Sequence, residues 1–384
     1  MGHEGTSVGA TPPRFHAPLL GTRGDGPVIH YQYTLDILSE DARPLDRVVL
    51  APDWSPALEW VRFEGIRAGR LPAVTAVVPG VVEPVWDGRA GEPIVAAFRA
   101  AVRAEGGDEV TREIPTAYVR SLAQQASATL VERGVLQAGD AFRYIISAFP
   151  APRADEPRTD GFSVEEIVQP LPLAGAPLAS FFGNSVPAGP DEPVGRLPVF
   201  LPRRVLDEAV ESARQAGDVE TGGVLVGKLR RDSGGHAAAS EIFVEITAQV
   251  PAPHTLSQST KLTFTAETWA AVQAAITLRR RNELMLGWWH FHPDFCRLRN
   301  CPVERRAHCP GASPFFSAED VHLHATCFPS AYHVALLISD RTPEGMTWSL
   351  FGWSQGMVTA RGFHVLADFP TGGAPHATHA APGF

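Results

Sequence analysis

Residues 284–293, Leu-Met-Leu-Gly-Trp-Trp-His-Phe-His-Pro, decide how this chain is read. The run is apolar from Leu284 to Trp289 and has the length of one strand, which Pro293 then stops. Residues two apart on a strand point to the same face, so His290 and His292 can share one ion. Downstream, Ser317-Ala-Glu-Asp320 opens a short helical pattern in which Asp320 lies one turn after Ser317. Upstream, Glu220 begins Glu-Thr-Gly-Gly-Val-Leu-Val-Gly-Lys-Leu, a second strand pattern that follows a helical one.

Two imidazoles and a carboxylate are the ligands of a hydrolytic zinc site. Three such ligands leave a fourth tetrahedral position for water, the arrangement of catalytic rather than structural zinc. Zinc lowers the pKa of that water to roughly 7, and Glu220 is placed in the pattern to take its proton and pass it to a leaving amine. Ser317 could hydrogen-bond the oxyanion of a tetrahedral intermediate. Each residue also has a plainer reading. His290 and His292 could be core histidines, Ser317 and Asp320 a helix capping box, and Glu220 a solvated strand-end carboxylate. Gly222 and Gly223 lack the Gly-Lys-Ser/Thr that completes a phosphate loop, and are read as close backbone packing.

At these positions the chain resembles the JAMM (MPN-plus, or JAB) metalloprotease family, whose pattern is an upstream Glu, then His-x-His-Pro, then Ser-x-x-Asp. The resemblance spans about residues 196–368. It is closest in ETGGVLVGKL, LGWWHFHP and SAEDVHLHATC to the endosome-associated deubiquitinase branch. It implies that His290, His292 and Asp320 bind zinc, that Glu220 is the general acid/base and that Ser317 stabilises the transition state. The fold it implies is a mixed sheet flanked by helices, related to the cytidine deaminases. A zinc deaminase would need His-x-Glu and Pro-Cys-x-x-Cys, and neither occurs.

The chain departs from the family between the second histidine and the serine, where residues 293–316 form a much longer connection than usual. All four cysteines, Cys296, Cys301, Cys309 and Cys327, lie in or just beyond it. Cys296, Cys301 and Cys309 could hold a structural zinc with an unresolved fourth ligand, the alternative being small thiols packing an inserted loop. The second zinc site of the endosomal branch is matched only in part, by His322 and His364. Val358 and Leu366 stand where its other ligands are expected.

With 384 residues, two domains are the natural expectation. Residues 1–27 and 371–384 are rich in Gly, Pro, Ala and His without periodicity and are expected to be disordered tails. Residues 28–150 read as a separate α/β module, with strands in VIHYQYTLDIL, AVTAVVPGVVEPVW and AFRYIISAF. Its helices are expected in GEPIVAAFRAAVRAEGG and AYVRSLAQQASATLVERG. Residues 151–195, dense in Pro and Gly, read as a linker, and 196–370 as the metalloprotease domain. In that domain the patterns predict helices 203–216, 266–281 and 317–327, and strands 220–229, 240–250, 261–265, 283–292, 332–340 and 346–354.

The net charge of −9, with no basic stripe, argues against nucleic acid as a partner. No apolar run approaches membrane-spanning length. The N-terminal residues lack the apolar core of a secretory signal, so a cytoplasmic protein with reduced thiols is expected. The resemblance implies a zinc isopeptidase or peptidase that acts on ubiquitin or a ubiquitin-like protein and its conjugates, and the Arg- and Ala-rich composition points to a bacterium. E1- or E2-like enzymes encoded nearby would be its companions. A non-catalytic scaffold of the same fold, and a zinc amidohydrolase acting on a small molecule, are the alternatives.

Overall fold

The computed structural model describes residues 30–73, 77–89, 91–104, 108–151, 170–193, 195–234, 241–252, 256–258, 261–306, 315–340 and 345–367. The two expected tails lie outside these residues. The chain divides into two units, one comprising residues 1–61, 77–103 and 109–166, the other residues 62–76, 104–108 and 167–384.

The N-terminal region runs β1 (Tyr31–Ser39), β2 (Pro44–Leu50), α1 (Ser55–Arg67), β3 (Val77–Trp86), β4 (Val95–Ala104), β5 (Glu109–Pro115), α2 (Arg120–Glu132) and β6 (Phe142–Pro150). Its strands form two three-stranded sheets, β2-β1-β6 and β3-β4-β5. The period-two pattern of β1 buries Tyr33, Leu35 and Ile37 on one face. Tyr33, Trp54 and Phe98 meet there, and Tyr118 stacks on Trp54 with ring centroids 5.1 Å apart. The helix expected in residues 91–107 is instead strand β4. Its alanines and the four-residue spacing of Arg99 and Arg103 suit a helix, but antiparallel pairing with β5, from Ala97 opposite Pro115 to Arg103 opposite Glu109, overrides that preference.

The second unit continues with β7 (Leu173–Ala176), α3 (Leu178–Gly183), β8 (Ser185–Ala188), β9 (Val199–Pro202), α4 (Arg203–Ala216), β10 (Gly222–Asp232) and β11 (Ile242–Pro251). Next come β12 (Leu256–Gln258), β13 (Lys261–Thr263), α5 (Ala266–Arg279), β14 (Leu284–His292), α6 (Phe295–Leu298), α7 (Val303–Arg306) and α8 (Ala318–Cys327). The last strands are β15 (Val334–Asp340), β16 (Met346–Ser354), β17 (Met357–Arg361) and β18 (Phe363–Leu366). One ten-stranded sheet carries most of them in the order β17-β16-β15-β14-β10-β11-β9-β18-β8, with β7 also paired to β10. It is mixed: β14 with β15, β11 with β9, β18 with β9 and β10 with β7 run parallel, and the other pairs described are antiparallel.

Helices flank this sheet, as expected. Helix α4 buries Val205, Leu206, Ala209, Val210 and Ala213, a stripe of helical spacing, and ends where Gly217 takes a positive φ of 65°. On α5, Trp269, Val272 and Ile276 pack against Val224, Val226 and Ala248. Leu323 of α8 and Phe328 just past its end join Trp288, Ala335 and Leu337 in an adjoining cluster. Strand β14 is buried along nearly its whole length because it lies between β10 and β15, which explains a continuous apolar run where a half-exposed strand would alternate. The expected linker differs in its latter part. Residues 152–169 lie outside the described residues, but β7, α3 and β8 are built into the second unit, where pairing of Leu173–Ala176 with β10 satisfies backbone groups that a linker would leave to water.

Candidate metal centre

Strand β14 presents Trp288, His290 and His292 on one face by simple alternation. The ladder to β10 sets Gly222 opposite His290, which brings the Glu220 end of β10 alongside the imidazoles. Gly223 fits the expected close packing: a Cβ there would lie 2.5 Å from the Val250 carbonyl oxygen and 2.6 Å from the Trp289 indole nitrogen. Gly287 is tighter still, since its Cβ would lie 1.8 Å from the Val334 carbonyl oxygen on β15. That approach keeps β14 and β15 in register up to the pairs His290–Leu337 and His292–Ser339.

Asp320 arrives from the first turn of α8. Ser317 is the N-cap: its Oγ accepts the Asp320 backbone N–H at 3.1 Å, and its own backbone N–H donates to Asp320 Oδ2 at 2.8 Å. This reciprocal box is the plainer reading of Ser317, and it is present. It does not use the serine's proton, because a hydroxyl accepts through a lone pair and keeps its O–H to donate. It also fixes the rotation of the carboxylate that the site depends on.

The three side chains converge. His290 Nε2 lies 3.0 Å from His292 Nε2 and 3.3 Å from Asp320 Oδ1, and His292 Nε2 lies 3.5 Å from Asp320 Oδ2. With metal–ligand bonds of about 2.1 Å, the edge of a tetrahedron is about 3.4 Å, and the two imidazole nitrogens and the carboxylate oxygen facing each are spaced on that scale. Among the described residues these three form the one group of histidine, cysteine and acidic side chains able to hold a metal.

The electrostatics favour a cation. Burial holds the His290 imidazole below its ordinary range, so it is neutral with a lone pair to give. Burial works against the Asp320 carboxylate, but the two imidazoles facing it outweigh that and hold it well below the usual range. Glu220, only 4% exposed, goes the other way: burial first, then the Asp320 and Glu319 carboxylates, push it up to about 8. A proton-holding carboxyl beside an ionised one is the split expected of an acid/base and a ligand.

Aromatic rings pack against the two imidazoles. Trp288 stacks on His290 at 4.5 Å and 15°, Phe316 lies 5.7 Å from His290, and Phe295 and Phe315 lie 5.5 and 5.2 Å from His292. Both ends of the 293–316 connection thus pack on the imidazoles of His290 and His292. Asp294 caps α6 by accepting the Arg297 N–H at 2.9 Å, and Arg297 pairs with Asp218. Cys296 is buried, Cys301 half-buried and Cys327 exposed, and Cys309 lies outside the described residues.

Residues 197–309 match the family model described as JAB1/Mov34/MPN/PAD-1 ubiquitin protease. This region is a JAB/MPN domain. The match includes Glu220, His290 and His292 and ends before Ser317 and Asp320, so it is the fold that brings those two to the JAB site. Among solved structures, the chain is similar to protein DSY2949 from Desulfitobacterium hafniense, with 23% identity over 44% of this chain and 92% of that one, and a TM-score of 0.29. It is also similar to a protein from Salinibacter ruber, with 14% identity over 46% and 95% of the two chains and a TM-score of 0.26. No curated protein matches. A JAB domain with a His-His-Asp metal group supports a hydrolase of the metalloprotease type. No helix of the described residues is long and apolar enough to cross a membrane.

Proposed function

We propose that this protein is a zinc-dependent isopeptidase or peptidase that hydrolyses the amide bond at the C-terminus of ubiquitin or a ubiquitin-like protein, in a conjugate or a precursor. The observation that carries the reading is the convergence of His290, His292 and Asp320 beside the buried carboxyl of Glu220. The modifier is inferred from the family description alone.

Zinc held by the three ligands would supply Lewis acidity, polarising the scissile carbonyl and acidifying a water. Glu220 takes a proton from the attacking water and returns it to the nitrogen of the leaving amine as the C–N bond breaks, so the carboxylate is regenerated in each cycle. Its carboxyl holds a proton in the metal-free site, and beside a bound cation it would release that proton and be left as a carboxylate ready to accept one. Ser317 donates its free O–H to the oxygen that becomes negative, while its lone pair continues to cap α8. The rings of Trp288, Phe295, Phe315 and Phe316 limit water around the ligands, which strengthens each of these interactions.

The test is metal analysis of the purified full chain combined with cleavage of a ubiquitin C-terminal amide and of ubiquitin-like precursors. The expected result is stoichiometric zinc and chelator-sensitive turnover that Glu220→Gln abolishes without loss of zinc. Wild-type protein that fails to bind zinc would overturn the metalloprotease reading. Zinc binding with no cleavage of any ubiquitin-like substrate, but turnover of small amides, would replace the substrate and keep the chemistry.

A further inference from the structure

A metal-ligating imidazole is almost always oriented by a hydrogen bond from its second ring nitrogen to a carboxylate, carbonyl or water. His290 departs from this: its Nδ1 is buried and has no hydrogen-bond partner among the described residues. The ring is held by stacking instead, on the indole of Trp288. A stacked ring is only as well oriented as its platform, so what fixes Trp288 matters.

Trp288 is fixed by one directional contact. Its Nε1–H donates to His324 Nδ1 at 3.1 Å, and both side chains are buried. His324 stands on α8 one turn after Asp320, as Trp288 stands two residues before His290. The hydrogen bond therefore ties the strand that carries two ligands to the helix that carries the third.

His324 bears an evident cost in making this tie. Because Nδ1 accepts, the neutral ring carries its proton on Nε2, and that N–H has no partner among the described residues. Phe316, Phe328 and Trp353 surround the ring with aromatic faces. Nearby His333 shows what a satisfied core histidine looks like: its Nδ1 accepts the Ser330 N–H at 3.0 Å, and it also hydrogen-bonds the backbone at Phe328 and Met285. An orphaned buried donor in a core that an apolar residue could fill asks for an explanation. Holding Trp288 supplies one.

We propose that Trp288 and His324 are positioning residues of the metal centre, and that their hydrogen bond takes the place of the missing partner on His290 and sets the spacing between β14 and α8. This rests on the metal-site reading above but not on the identity of the substrate. A purely structural pair and a positioning pair differ in what their removal does. Replacing both polar partners by apolar groups of similar shape removes the orphan and the bond together, and is close to neutral for the fold.

The decisive variant in the full chain is therefore Trp288→Phe combined with His324→Leu, compared with each single change and with His324→Asn, whose side-chain oxygen can replace Nδ1 as acceptor. Zinc affinity is measured by competition with a chromophoric chelator, and thermal stability is measured on the metal-free protein. The expected result is a double variant melting close to wild type whose zinc affinity falls on the order of 10–100-fold. Each single change should lose about as much affinity as the pair, and His324→Asn should recover most of it. Unchanged zinc affinity in the folded double variant, losses that multiply when the changes are combined, or no recovery with His324→Asn would each overturn the proposal. Wild-type protein without zinc affinity would instead remove the metal-site reading, and the proposal with it.

Discussion

The two halves of the metal centre are built in opposite ways. The strand half places His290 and His292 through a ladder: β14 is hydrogen-bonded to β10 and β15, and Gly287 presses against the Val334 carbonyl with no room for a side chain. The helix half places Asp320 through side-chain contacts, a capping box with Ser317 and the Trp288–His324 hydrogen bond, on a helix that follows a long connection. Ligand position is set by continuous ladders on the strand and by a few side-chain contacts on the helix. Loss of a ligand from either half should therefore abolish the site, whereas damage to the contacts that place the helix should loosen it by degrees.

The largest effects should come from the ligands. His290→Ala and Asp320→Ala should each lose zinc and turnover together, measured by metal content and peptidase assay, because two remaining ligands cannot close the tetrahedron. If Asp320→Ala kept wild-type zinc, the helix half would not be part of the centre at all. Glu220→Gln should come next, with turnover lower by on the order of 10²–10⁴-fold and zinc content unchanged. The same residue gives a pH signature. Its carboxyl is raised from 4.5 to about 8 in the metal-free protein, so the stabilisation it gives as a protonated group is complete below about pH 4.5 and is lost as pH rises through about 8. Metal-free wild type should accordingly melt progressively lower than Glu220→Gln between about pH 4.5 and 8, with the gap level above that. Zinc binding at pH 7 should release about one proton in wild type, and less in the variant, in calorimetric titrations across buffers of different ionisation enthalpy.

Ser317→Ala should show the graded behaviour of the helix half. Loss of the cap should cost about 1 kcal/mol in thermal unfolding, and loss of the oxyanion donor should lower kcat by about 10²–10³-fold with a smaller change in KM. An unchanged kcat would leave Ser317 as a cap alone. The smallest effect is expected from replacing Cys296, Cys301 and Cys309 together by Ser, which should leave the catalytic zinc in place because its ligands lie outside those positions. A drop from two zinc ions to one would instead show a second site in the connection.

How far the molecule was legible in its sequence follows the same division. The alternation of His290 and His292, the helix at 203–216 and the strand at 346–354 are local patterns, and each is found where the pattern put it. Residues 91–107 misled because alanine favours a helix in isolation, whereas pairing with β5 is a long-range event with no local mark. Strands β7 and β8 are four residues each, β7 between Pro172 and Pro177 and β8 with Pro187 inside it, too short for a period to register. The tie between Trp288 and His324 was out of reach for another reason. It joins residues 36 apart, and only the packed core shows that one ring nitrogen is engaged and the other is not.

The pairing of β7 with the far end of β10 has a practical meaning for anyone who wishes to cut the JAB domain out of this chain. Strand β10 is covered on one side by two shorter strands laid end to end, β14 beside Gly222–Gly227 and β7 beside Leu229–Asp232. A fragment begun at residue 196, where the family resemblance starts, would keep the first cover and lose the second, and it would also strip β8 from β18. Two rows of open backbone donors and acceptors would then face solvent on an otherwise finished sheet, the kind of sticky border through which proteins polymerise. A fragment begun near residue 170 would carry its own selvedge, and its solubility relative to the shorter piece would measure what those few residues protect.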